Sequence, residues 1–266
     1  MPRAKKKIEE KVTKKVTPKV EEKEIVINLD TIAIPGAIII AGLIIAGAIF
    51  FTNKGNVGEA DTNTDNNNPT QETFVEAETN IDDDAYMGDK KKAKVAIVEF
   101  SDYECPFCKR HFQETSPQLI EEYVDTGEVI IVFRDFPLGF HDPAATLEAR
   151  AAECARSLSD NATYFKYHDL VFNNTPGNGA GLSNDVLIGY AGELGLSTDK
   201  FSTCLSGTDF KDEIAKDMAD GSEAGVSGTP AFIIGKLGSD GSVKGKLISG
   251  AYPFETFKEI IDEYLK

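Results

Sequence analysis

The sequence predicts an α/β fold, a mixed sheet with a helical insertion, preceded by one N-terminal transmembrane helix. Three observations predict the α/β domain. An apolar, β-branched run at Val95–Phe100, a helix start at Cys105-Pro-Phe-Cys108 and a second apolar run at Glu128–Arg134 make a β-α-β unit. Such a unit pairs its strands in parallel through a right-handed crossover. Residues from about 140 to 222 then read as successive helices, and two strands with a final amphipathic helix close the chain from Gly225 to Lys266.

The chain has 266 residues and a formal charge of −16, unevenly spread. Residues 1–30 alternate Lys and Glu, with Pro18 interrupting, and read as a solvated cytoplasmic tail. Ile32–Phe51 carries no charge, and at 1.5 Å per residue it spans about 30 Å, one hydrocarbon core. The basic excess ahead of it predicts a signal anchor at 31–52. The expected localisation is a single-pass protein of the cell membrane, N-terminus cytoplasmic and catalytic domain extracytoplasmic. A cleaved signal peptide is the rival reading, which the long preceding tail disfavours. Residues 53–90 are rich in Asn, Asp, Thr and Glu and read as a disordered acidic linker. The globular domain is expected at 91–266, long enough to bury a core.

Within it, a strand at 93–100 leads to a helix from Cys105 toward Val124, with a kink at Ser116-Pro117 and an end at Gly127. Glu128–Arg134 is a second buried strand. Helices follow at Pro143–Leu158, 163–173, 183–194, 198–205 and Asp209–Gly221. Gly225–Gly235 contains a strand entered through Pro230. The turn Leu237–Val243 and the return strand Lys246–Gly250 make a hairpin, and Pro253–Lys266 is the last helix.

The chemistry concentrates at Cys105 and Cys108. Pro106 stands where the first helical turn tolerates proline, so Cys105 lies at a helix N-terminus. Free N–H groups and partial positive charge there stabilise a thiolate, the nucleophile of disulfide exchange. Cys108, one turn on, can close the 105–108 disulfide or resolve a mixed one. Half of a zinc site is the competing reading, but no second Cys/His pair follows at short spacing, so no metal and no cofactor is expected. His111 reads as a solvent-facing histidine, and His141 and His168 as structural. Cys154 and Cys204 could pair in an oxidising compartment or remain buried thiols. Asn161-Ala-Thr163 and Asn173-Asn-Thr175 fit the N-glycosylation pattern.

Residues 91–266 resemble the DsbA-type oxidoreductases of thioredoxin fold. The resemblance is carried by Cys105-Pro-Phe-Cys108, by Ser227-Gly-Thr-Pro-Ala-Phe232, by Ala151-Ala-Glu-Cys154 with Tyr164–Phe172, and by Leu247–Ala251 with Phe254. It implies a cis Pro230 beside the cysteines, with Thr229 before it offering backbone groups to an extended substrate. It implies an acid at Glu99 that exchanges a proton with Cys108, the alternative being that Glu99 faces solvent on a strand edge. It also supports an insertion disulfide Cys154–Cys204. Phe107 replaces the histidine usual in the oxidising archetype, which bears on the redox potential.

The expected function is a thiol-disulfide oxidoreductase that introduces disulfides into secreted or surface proteins. Its expected partners are unfolded or reduced secreted proteins and, by the resemblance, a quinone-linked membrane re-oxidase; membrane contact is through residues 32–51. A reductase or isomerase on the same fold, or a non-catalytic assembly module, are the alternatives. The acidic balance argues against nucleic acid.

Overall fold

The structure, a computed structural model, describes residues 74–266. The expected tail at 1–30, the anchor at 31–52 and the linker as far as residue 73 lie outside the described residues. Among the described residues, no helix is long and apolar enough to cross a membrane.

The strands are β1 (Val75–Asn80), β2 (Ala85–Met87), β3 (Val95–Ser101), β4 (Val129–Asp135), β5 (Ala231–Leu237) and β6 (Ser242–Ser249). They form one sheet in the order β1-β6-β5-β3-β4-β2. β3 and β4 pair in parallel, Val95 opposite Val129, and every other pairing is antiparallel. This is the expected β-α-β unit followed by a β-hairpin.

The β3–β4 crossover is helical. α1 (Pro106–Glu114) breaks at Thr115, and α2 (Ser116–Leu119) runs into one π-helical turn at Ile120–Val124. Pro117 has no N–H to donate, which explains the break. Between β4 and β5 lie α3 (Ala144–Ser157), α4 (Asn161–Asn174), α5 (Asn184–Glu193), α6 (Thr198–Ser206) and α7 (Lys211–Glu223). Asp160, Ser183 and Ser197 cap α4, α5 and α6 by accepting from backbone N–H groups. α8 (Phe254–Leu265) ends the chain.

β3 is buried along its whole length, with successive side chains entering opposite cores. Val95 and Ile97 pack with Phe232, Phe257 and Tyr123, whereas Ala96, Val98 and Phe100 pack with Val226 and Ile233. Gly221 lets α7 approach closely: a Cβ there would lie 2.8 Å from the Phe100 ring.

The linker boundary needs correction. The sequence reading carried the linker to residue 90, but Val75–Asn80 and Ala85–Met87 are strands of the sheet. β1 is an edge strand whose Glu76 and Glu78 face solvent, so its composition resembles a spacer while its backbone pairs with Leu247 through Ser242. Behind it, buried Arg134 donates to Asp84 at 2.6 Å and to Asp220 at 2.9 Å, and lies 3.6 Å from Asp217. The 82–84 segment is thereby tied to β4 and α7.

Candidate active site

β3 ends at Ser101, and the chain turns through Asp102, Tyr103 and Glu104 into α1. Asp102 holds this turn. Its Oδ1 accepts from the Glu104 N–H at 2.8 Å, and its Oδ2 accepts from the Leu138 N–H at 2.8 Å and meets His141 Nδ1 at 2.8 Å. The Cys105 N–H donates to the Asp102 carbonyl at 3.0 Å. Cys105 is the N-cap residue of α1, in an extended conformation, with Pro106 at the first helical position.

Cys105 and Cys108 are both free thiols, and they differ sharply. The Cys105 thiol donates to the Thr229 carbonyl at 3.5 Å. Its pKa is drawn down to about 6, first by the Cys108 thiol and, against the cost of burial, by the Thr229 side chain and the Cys108 and Phe107 N–H groups. Cys108 is fully buried, with the Asp102 N–H 3.5 Å from its Sγ. Burial and then the Cys105 thiol push its pKa well above the ordinary value. The pair is therefore one thiolate and one retained proton near neutrality, the division that disulfide exchange uses.

Thr229–Pro230 is cis, as the resemblance implied, and so is Asp142–Pro143, which the sequence reading did not anticipate. Phe107 is 56 % exposed beside the cysteines, with the Arg110 guanidinium 5.2 Å from its ring centre.

Glu99 does not face solvent. It is buried, and burial raises its pKa to about 7. It borders a cavity of about 560 Å³ shared with Phe112, Phe133 and His168. Ser101, two residues on and on the same face of β3, draws down the pKa of both Glu99 and Cys108 while making no regular hydrogen bond of its own. Glu99, Ser101 and Cys108 thus form a buried polar line from the redox pair to the cavity.

His111 corrects the sequence reading, which put it toward solvent. It is 2 % exposed, packed on Phe232 and Phe257 with ring centres 4.4 and 5.2 Å away. The face of α1 that carries it is the one laid on β5 and α8. His168 is buried among Tyr103, Phe133 and Phe172. Cys154 and Cys204 form a disulfide joining α3 to α6. Carboxylate oxygens gather in two groups, Asp82 with Asp83 and Glu213, and Asp84 with Glu213 and Asp217, but Arg134 and Lys216 already pair with Asp82, and Arg134 with Asp84 and Asp217.

Sequence reasoning missed Asp102, Ser101 and Glu104. Polar residues bunched in the turn after a buried strand were the available signal.

The family model described as Thioredoxin matches residues 80–263. The Na(+)/H(+) antiporter NhaA 1 of Salinispora arenicola is 31% identical over 161 residues, which cover 60% of this chain and 23% of that protein. This chain therefore spans under a quarter of that relative's length. Disulfide bond formation protein D of Bacillus subtilis is 27% identical over 207 residues, covering 75% of this chain and 86% of that protein. Among solved structures, oxidised BdbD of Bacillus subtilis aligns with a TM-score of 0.62 at 22% identity, over 72% of this chain and 98% of that one. That last likeness is one of fold.

Proposed function

We propose, for a chain that belongs to the thioredoxin family and is a DsbA-like protein thiol–disulfide oxidoreductase, that it works as an oxidase, donating the Cys105–Cys108 disulfide to reduced proteins outside the cytoplasm. The carrying observation is the division of the pair: Cys105 is drawn down to about 6 while Cys108 keeps its proton. Stabilising the thiolate stabilises the reduced form, so the disulfide is readily given away.

The reaction balances as two exchanges. A substrate thiolate attacks Cys105 Sγ; the 105–108 bond breaks and Cys108 leaves with the electron pair. Glu99, protonated up to about pH 7, supplies a proton to that buried sulfur. A second substrate thiolate then attacks the substrate sulfur of the mixed disulfide and releases Cys105 as a thiolate. The substrate has lost two electrons and the redox pair has gained them. An extended substrate segment pairs with the backbone at Thr229 and rests against exposed Phe107.

The remaining parts of the reading are supported by the sequence. The apolar run at 32–51 anchors the chain and the basic residues before it hold the N-terminus in the cytoplasm; that a quinone-linked membrane protein re-oxidises the pair is supported by the resemblance to DsbA-type proteins alone. The test uses the purified full chain, oxidised, with a reduced, unfolded secreted protein. One disulfide should appear in the substrate per chain consumed, and Cys105→Ser should abolish it. A chain that reduces substrate disulfides but forms none would reverse the assignment. Protease accessibility of the domain in intact cells tests its location.

A further inference from the structure

Glu104 is bonded directly to Cys105 and is fully buried. Three groups hold it, all from the loop of residues 175–182 that follows α4. The Asn178 N–H donates to its carbonyl at 2.8 Å, the Gly181 N–H to its Oε2 at 3.0 Å, and the Thr175 hydroxyl to its Oε1. Lys109 of α1 donates to the Thr175 carbonyl at 2.8 Å, closing the same contact from the helix side. The loop has no regular structure of its own. Gly177, Asn178, Gly179 and Gly181 all have positive φ, so it is fixed by what it touches.

Both Glu104 carboxyl oxygens thus accept hydrogen bonds from this one loop. Glu148 of α3, also fully buried, stands behind it. Glu148 Oε1 accepts from the Leu182 N–H at 2.9 Å, whereas Oε2 has no N–H or O–H partner. Two buried carboxyl groups within reach of one another resist ionising together. Burial, and then the charge of Glu104, raise the Glu148 pKa to about 8. Adjacent amides of the loop, Gly181 and Leu182, bind the two carboxyl groups and so set Glu148 beside Glu104, with Oε2 the oxygen left open.

We propose that Glu104 is a positioning residue for Cys105, holding the turn before the nucleophile against the 175–182 loop, and that it does so only while it shares the proton of Glu148. Loss of that proton leaves two charges in one buried space. The other groups that face Glu148 are Asp102 and Tyr103 from the turn, Tyr167 from α4 and Tyr190 from α5. None is a cation. Arg150, on the same helix, is committed to the carbonyls of Cys204, Leu205 and Gly207, and Lys109 to that of Thr175. The pair then separates, the Gly181 and Leu182 amides lose their acceptors, and Cys105 loses its support.

The inference rests on Cys105 being the nucleophile, and its test separates the two claims. The reduced full chain is reacted with bis(2-hydroxyethyl) disulfide, which has no titrating group, across pH 5 to 10. The rate should rise as Cys105 ionises near pH 6. It should then fall above pH 8, by about 10-fold per unit once Glu148 has ionised. Glu148→Gln keeps a donor toward Glu104 and an acceptor for Leu182, and should abolish the alkaline fall. Amide exchange in the unmodified chain, corrected for intrinsic pH dependence, should show Gly181 and Leu182 losing protection over the same range. A rate flat to pH 10, or a fall that Glu148→Gln leaves in place, overturns the inference while the rise near pH 6 still stands for Cys105. No reaction at any pH overturns both.

Discussion

His111 Nε2 stands 3.7 Å from Glu99 Oε2, and both side chains are buried beneath the redox pair. Burial drives their pKa values in opposite directions along the scale, the carboxyl up to about 7 and the imidazole down to about 3. Between those values both groups are neutral. An acid held protonated close to neutrality, at the edge of a cavity, is suited to exchange a proton with the otherwise enclosed Cys108.

Glu99 has a stability signature. Its folded pKa of about 7 lies above the ordinary 4.5. Its contribution is thus fully present below pH 4.5 and is lost as pH rises through 7. Glu99→Gln should therefore gain stability over the parent above pH 7, by up to about 3 kcal/mol, and show no such gain at pH 4. Urea denaturation at the two pH values checks this. The same variant should slow Cys108-dependent resolution of a mixed disulfide by about 100-fold; unchanged kinetics would remove Glu99 from the mechanism.

His111 has the opposite slope. Its folded pKa of about 3 lies below the ordinary 6.5, so its contribution is present above 6.5 and is lost as pH falls toward 3. His111→Phe keeps the ring between Phe232 and Phe257, and it should stabilise relative to the parent at pH 5 by about 2 kcal/mol. Denaturation at pH 5 and pH 8 should show the gain at the lower pH alone.

Cys108 is the first contributor to the low pKa of Cys105. Cys108→Ala should move the Cys105 thiolate titration, followed by absorbance near 240 nm, above about 6. A titration left where it was would assign the effect to the helix N-terminus instead.

The Cys154–Cys204 bridge closes a loop of 50 residues. Replacing both cysteines by Ala should cost about 4 kcal/mol on the chain-entropy account and leave the Cys105–Cys108 equilibrium with glutathione unchanged. A shifted equilibrium would mean that the insertion acts on the redox pair through that bridge.

Arg134 tests the corrected domain boundary. It is fully buried among Asp84, Asp217 and Asp220. Arg134→Ala leaves those acids uncompensated and should destabilise by about 3–5 kcal/mol. A loss below 1 kcal/mol would show that the 82–84 segment is not held by this cluster.

Much of this was legible in the sequence because local patterns carried it. β3 and β4 are β-branched runs bounded by turns, Pro106 marks a helix start, and Thr229-Pro230 follows a glycine turn. The two cysteines announced the chemistry. What could not be read depended on contacts distant in sequence. β1 resembles a spacer because an edge strand keeps its charges in water, and only its pairing with β6 makes it a strand. His111 looks like any polar helix residue until Phe232 and Phe257, more than a hundred positions away, cover it. Glu104 and Glu148 are 44 residues apart, and nothing local marks them as partners.

The most direct measurement is the redox equilibrium of the full chain with glutathione, with the Cys154/Cys204 double variant as control. An oxidase account predicts a potential at the oxidising end, about −180 mV or more positive, toward the value of about −120 mV typical of strong disulfide donors. A value near about −270 mV, at the thioredoxin end of the scale, would mean that the pair is kept reduced and would contradict the account.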